Sequence, residues 1–84
     1  MDDSLGEIRA ALADVSQRLY QAHHCAGLAA KGIAEAVAVL TDLDRSHHES
    51  LVPPELLRAD EELTRGLGLI SGGVDSVAAV EARL

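Results

Sequence analysis

With 84 residues, 14 Asp and Glu against 7 Lys and Arg, and a formal net charge of −7, the chain reads as one small acidic domain, residues 1–84. That charge repels phosphate over the whole surface and argues against DNA or RNA as a partner. With no Trp or Phe and a single aromatic residue, Tyr20, the core has to be built from Leu, Val, Ile and Ala, a set suited to close helix packing rather than to an enclosing ligand pocket. The lone Cys25 cannot staple the fold within one chain. Met1-Asp2-Asp3 is acidic where a secretory signal is basic, and no apolar run reaches the roughly 18 residues of a membrane span. A soluble, cytoplasmic protein that engages no membrane is expected.

The first predicted element is a helix over residues 5–45. Apolar residues recur at alternating spacings of three and four through Leu5, Ile8, Leu12, Val15, Leu19, Ala22, Ala26, Ala29, Ile33, Ala36, Leu40 and Leu43, the signature of a helix that packs along one seam. Ser4-Leu5-Gly6-Glu7 matches the S-x-x-E capping box, and Asp2, Asp3 and Glu7 stand at the positive end of the dipole. Arg45, with His47 and His48 after it, suits the negative end. A helix of this length is a rod on the order of 60 Å.

Residues 46–53 lack the repeat and read as a loop. A second helix, residues 54–84, starts at Pro53-Pro54, since proline is well placed at the first helical position, with Glu55, Asp60, Glu61 and Glu62 in its positive half and Arg83 at its other end. Its seam runs Leu56, Ala59, Leu63, Gly66, Ile70, Gly73, Val77, Val80, Leu84. Ser71-Gly72-Gly73 is its weak place, where each glycine costs roughly 1 kcal/mol relative to Ala. The alternative is a break there and a third helix over 74–84.

The fold class expected is therefore all-α, an antiparallel two-helix hairpin of coiled-coil type. Symmetry about the loop pairs Ala36 with Leu63, Ile33 with Gly66, Ala29 with Ile70, Ala26 with Gly73 and Ala22 with Val77, so that large faces small at nearly every layer. On that reading Gly66 and Gly73 permit a close approach of the helices. The same register leaves Leu5, Ile8 and Leu12 beyond the end of the second helix. Further apolar residues border the seams: Val37 and Val39 on the first helix, Leu67, Leu69 and Val74 on the second. Leu28 lies away from both. A hairpin buries one stripe per helix, so this wide apolar arc calls for a cover. The expected cover is a second copy, giving a homodimeric four-helix bundle. Its interface is assigned to Leu5, Ile8, Leu12, Val15, Leu19, Val37, Leu67 and Val74, and an unidentified protein partner is the other occupant considered.

Other residue groups carry a chemical reading beside a structural one. Ser71-Gly72-Gly73-Val74-Asp75-Ser76 resembles the S-G-G-x-D-S pyrophosphate loop of ATP pyrophosphatases, which aims backbone amides and a helix N-terminus at phosphate. In that family the loop lies near the start of an α/β domain, whereas here it lies near the end of a helical chain. A chance match within a helix is the preferred reading. The pairs His23-His24 and His47-His48 offer zinc-ligand chemistry beside Cys25 and Glu49. Adjacent helical residues point about 100° apart, however, and the two pairs are separated by roughly 35 Å along the helix, which leaves only zinc shared between chains. Cys25 lacks an orienting group and an oxyanion site. Asp60, Glu61 and Glu62 read as a solvated face near a helix start, and Tyr20 as an interface anchor with a polar tip. No catalytic, metal-binding or cofactor-binding residue is assigned, and no cofactor is expected.

The run Ser4-Leu5-Gly6-Glu7-Ile8-Arg9-Ala10-Ala11-Leu12, an Ala-rich helix, and then Leu51-Val52-Pro53-Pro54-Glu55-Leu56-Leu57 together resemble small uncharacterised Ala-rich helical proteins of actinobacteria. That resemblance implies a helical hairpin and carries over no activity. The hairpin outline is also similar to the Trp-Xaa-Gly secreted effectors of type VII export, although Val52-Pro53-Pro54 stands where that motif would be and the chain has no Trp. The function expected is a non-enzymatic protein-protein interaction module: an adaptor, scaffold or small regulator acting as a helical oligomer. The alternatives are a nucleotide- or metal-binding protein using Ser71–Ser76 or the His pairs, and an exported helical hairpin of the type VII kind.

Overall fold

The computed structural model describes residues 4–84. Two helices make up its regular structure, α1 over Ser4–Asp44 and α2 over Pro54–Ala82, packed against each other and running antiparallel. Glu7 stands in the first turn of α1, where its charge favours the dipole. Asp2 and Asp3, expected to share that role, lie outside the described residues.

α1 ends in a tightened turn, with the N–H groups of Arg45, Ser46 and His47 donating to the carbonyls of Asp42, Leu43 and Asp44 at 3.3, 3.2 and 3.0 Å. The Asp44 carboxylate then takes hold of the returning chain, accepting from the Leu51 N–H and from Ser50 Oγ. Arg45 pairs with Asp42 at 3.3 Å. Pro53 is extended, with φ −63° and ψ 136°, and Pro54 opens α2 without a side-chain cap. α2 continues unbroken through Gly72-Gly73, and no glycine among the described residues has positive φ. The expected alternative of three helices is therefore not adopted. Ile70, Gly73, Val74 and Val77 all lie half-buried in that region, and their packing against α1 offsets the poor helix propensity of the glycines. At the far end of α2, Arg9 of α1 donates from Nη2 to the Leu84 carbonyl at 2.6 Å, bringing positive charge to the negative pole of the dipole.

The seam differs from the expected one by a rotation of α1. On α1 the half-buried positions are Leu12, Ser16, Leu19, Ala26, Gly27, Ala30, Ile33, Val37, Leu40 and Asp44, whereas Val15, Ala22, Ala29, Ala36 and Leu43 are exposed. One half of the predicted stripe thus faces α2, and the other half is replaced by its next neighbours. On α2 the expected stripe from Leu56 to Val80 is half-buried, together with Asp60, Leu67 and Val74 on one flank. The asymmetry of α2 accounts for the rotation. Its flank at Leu67 and Val74 is bulky, while its other flank is Ala59, Gly66 and Gly73, so turning α1 toward the bulk covers more apolar area.

The register is displaced as well. A Cβ added at Gly73 would meet Leu19 Cδ1 at 3.9 Å, not Ala26, and a Cβ at Gly66 would meet nothing within 4 Å. The tie from Asp44 to Leu51 explains this, because it turns the chain early and slides α2 toward the start of α1. Leu12, expected to lie beyond α2, is consequently half-buried, while Leu5 and Ile8 are exposed. Within one hairpin the glycines do not mark a close approach.

The product is a rod measuring 73 × 15 × 14 Å with a radius of gyration of 19.5 Å, against about 12 Å for a compact domain of this length. No described residue of either helix is buried.

Candidate functional site

An elongated hairpin with no buried side chain has its chemistry on its surfaces, and its two edges are chemically unlike. One edge follows Ser16, His23 and Asp44 of α1 beside Asp60, Val74 and Glu81 of α2. Ser16 Oγ donates to Glu81 Oε1 across the seam at 3.0 Å, and shallow open grooves here are lined by Tyr20, His23, Ser71, Val74 and Asp75 and, further along, by Gln17 and Ala78. This edge mixes the polar Ser16, His23, Asp44, Asp60 and Glu81 with the half-buried apolar Val37, Leu67 and Val74. Tyr20 overhangs it, 61% exposed.

The opposite edge belongs to the half of the expected stripe that α1 turned away from α2. Ile8, Val15, Ala22, Ala29, Ala36 and Leu43 recur every seven residues and all are exposed, with Ile8, Val15 and Leu43 at 47, 40 and 52%. Positions seven apart line up along a helix that winds about a partner, so these six form a continuous apolar column. The charged neighbour Arg18 is directed to Asp14, Nε to Oδ2 at 2.8 Å. That hydrogen bond, and then the charge of Asp14, raise the Arg18 pKa above its ordinary value.

Of the residues assigned to an interface from the sequence, Leu5, Ile8 and Val15 are exposed, and Leu12, Leu19, Val37, Leu67 and Val74 are half-buried at the junction of α1 and α2. Ser71–Ser76 lies inside α2, where each backbone N–H is engaged with the carbonyl one turn back and the chain presents no amide cradle to phosphate. His23 and His24 lie within α1 and His47 and His48 in the loop, where His47 Nδ1 lies 3.2 Å from the Glu49 carbonyl. Among the described residues no three His, Cys, Asp or Glu side chains converge as a metal ion requires. Cys25 is exposed. Of the acids on α2, Glu62 Oε1 accepts from Arg58 Nε at 3.2 Å. Among the described residues no helix is long and apolar enough to cross a membrane.

Sequence reasoning missed Asp44, which ties the end of α1 to the loop at Ser50 and Leu51, and Arg9, which ties α1 to the chain just past α2. A signal existed for Asp44: an acid in the last turn of a helix opposes the dipole and calls for a compensating role. For Arg9 there was none, since its acceptor lies 75 residues away. Compared with protein-family models, with curated proteins and with solved structures, the chain matches none.

Proposed function

We propose that the protein is a non-enzymatic interaction module that works as a helical oligomer, in its simplest form a two-fold dimer whose hairpins assemble into a four-helix bundle, serving as an adaptor, scaffold or small regulator. The observation that carries this reading is the amount of surface left open. The chain exposes 6373 Å², whereas a compact monomer of 8.8 kDa exposes about 4,800 Å². The excess, roughly 1,600 Å² per chain, is of the size that obligate homodimers remove from water. Exposed aliphatic residues such as Ile8 and Leu43 add the driving force, each worth about 1.5–3 kcal/mol when fully covered.

Light scattering coupled to size-exclusion chromatography over a wide concentration range tests the proposal. A mass near twice 8.8 kDa is expected. Ile8→Asp is expected to weaken the dimer by roughly a hundredfold or more, because each interface holds the residue twice and each loss costs about 1.5–3 kcal/mol, while helical circular dichroism is retained. A native chain that stays monomeric at every concentration overturns the proposal.

A further inference from the structure

The exposed edge of α1 carries more than one apolar column. Beside the column of Ile8, Val15, Ala22, Ala29, Ala36 and Leu43 runs an interleaved one, Ala11, Arg18, Cys25, Gly32 and Val39, and every member of both is exposed. Columns three and four residues apart form a single packing face, so α1 holds a second complete 3-4 repeat that the hairpin does not use.

We infer that this face is where two copies of the chain meet, α1 against α1 and antiparallel, with the two-fold axis passing beside Cys25. The inference rests on the dimer proposed above and names its surface. Three observations support a second copy as the occupant. The first is self-complementarity, which a two-fold interface requires. An antiparallel pairing centred at Cys25 sets Val15 of one copy against Ala36 of the other, Ala11 against Val39, and Ala22 against Ala29. Large therefore meets small at the Val15 and Val39 levels, and small meets small around the axis, where the backbones come closest. Ile8 meets Leu43 at the two ends, and Arg18, the single charge in the face, lies opposite Gly32, where no side chain competes for its space. A parallel pairing would instead set Arg18 against Arg18.

The second observation is the contrast between edges. The other side of the hairpin is interrupted by Ser16, His23, Asp44 and Glu81, and drying it would strip polar groups of water. The third is size. From Ile8 to Leu43 the face is about 50 Å long and one helix, about 10 Å, wide. These are the dimensions of an interface removing about 800 Å² per partner, well within the excess surface of the chain.

The single native cysteine supplies the test. The dimer treated with a short bis-maleimide is expected to become covalently linked through Cys25, roughly a thousandfold faster than the chain unfolded in urea, because paired thiols see a millimolar effective concentration against micromolar protein. Polarity is read in a Cys25→Ser background. Ile8→Cys chains and Leu43→Cys chains should each resist linking to themselves and link readily when mixed. Linking of Ile8→Cys to itself would overturn the antiparallel arrangement. A native chain that is dimeric by light scattering but links no faster than the unfolded chain would overturn the assigned surface and leave the proposed dimer standing. A monomer by light scattering would remove both.

Discussion

Asp44 occupies the one end of α1 where the helix dipole disfavours a negative charge, yet it organises the turn. Its carboxylate accepts from the Leu51 amide and from Ser50 Oγ, and Ser50 Oγ in turn accepts from the Val52 N–H at 3.3 Å. Hydrogen bonds to a charged acceptor contribute about 1.5–3 kcal/mol, so Asp44→Ala is expected to lower stability by about that amount in urea unfolding. Asp44→Asn, which keeps one acceptor for the Leu51 amide, should fall between the two. The breaker-rich character of residues 46–53 was legible from the absence of the repeat and from Pro53-Pro54. The point at which the chain turns back was not, because it depends on which side chain captures the returning amide, and that is settled only when Asp44 and Leu51 are brought together in space.

At the scale of the helix, continuity of α2 is a balance between glycine entropy and packing. Gly68 is exposed, and a Cβ added there would meet nothing within 4 Å. It therefore carries the propensity cost with no packing return. Gly68→Ala is expected to stabilise the protein by about 0.8–1 kcal/mol, measured as a shift in the unfolding midpoint. Both helices were legible from periodicity, and the end of α1 at Asp44 and the start of α2 at Pro54 fall where the loss of the repeat and the proline pair suggested, while α2 stops at Ala82, short of the expected residue 84. The face each helix turns to its partner was legible for α2 and only half so for α1. α1 is apolar or small at several adjacent columns, so Leu12, Leu19, Ile33 and Leu40 can pack with either Val15 and Ala22 on one side or Ser16 and Ala30 on the other. A 3-4 repeat alone cannot choose between columns of similar hydrophobicity. The bulk of Leu67 and Val74 on α2 made the choice.

As a whole molecule the chain is a rod two helices thick, with no described residue buried in either helix. Stability that depends on assembly depends on concentration. For the proposed dimer, each tenfold rise in protein concentration adds about 1.4 kcal/mol and should raise the thermal midpoint by about 3–6 °C; calorimetry at several concentrations reads this directly, and a constant midpoint speaks against assembly. The sequence by itself determined that two long helices form and where the loop between them lies, because periodicity, proline and charge placement act locally along the chain. Only the tertiary structure decided the rotation of α1, the displaced register, the ties made by Asp44 and Arg9, and hence which apolar column remains open. Those outcomes come from competition between surfaces far apart in sequence, in which the bulk of one helix and the reach of single side chains weigh more than any local preference.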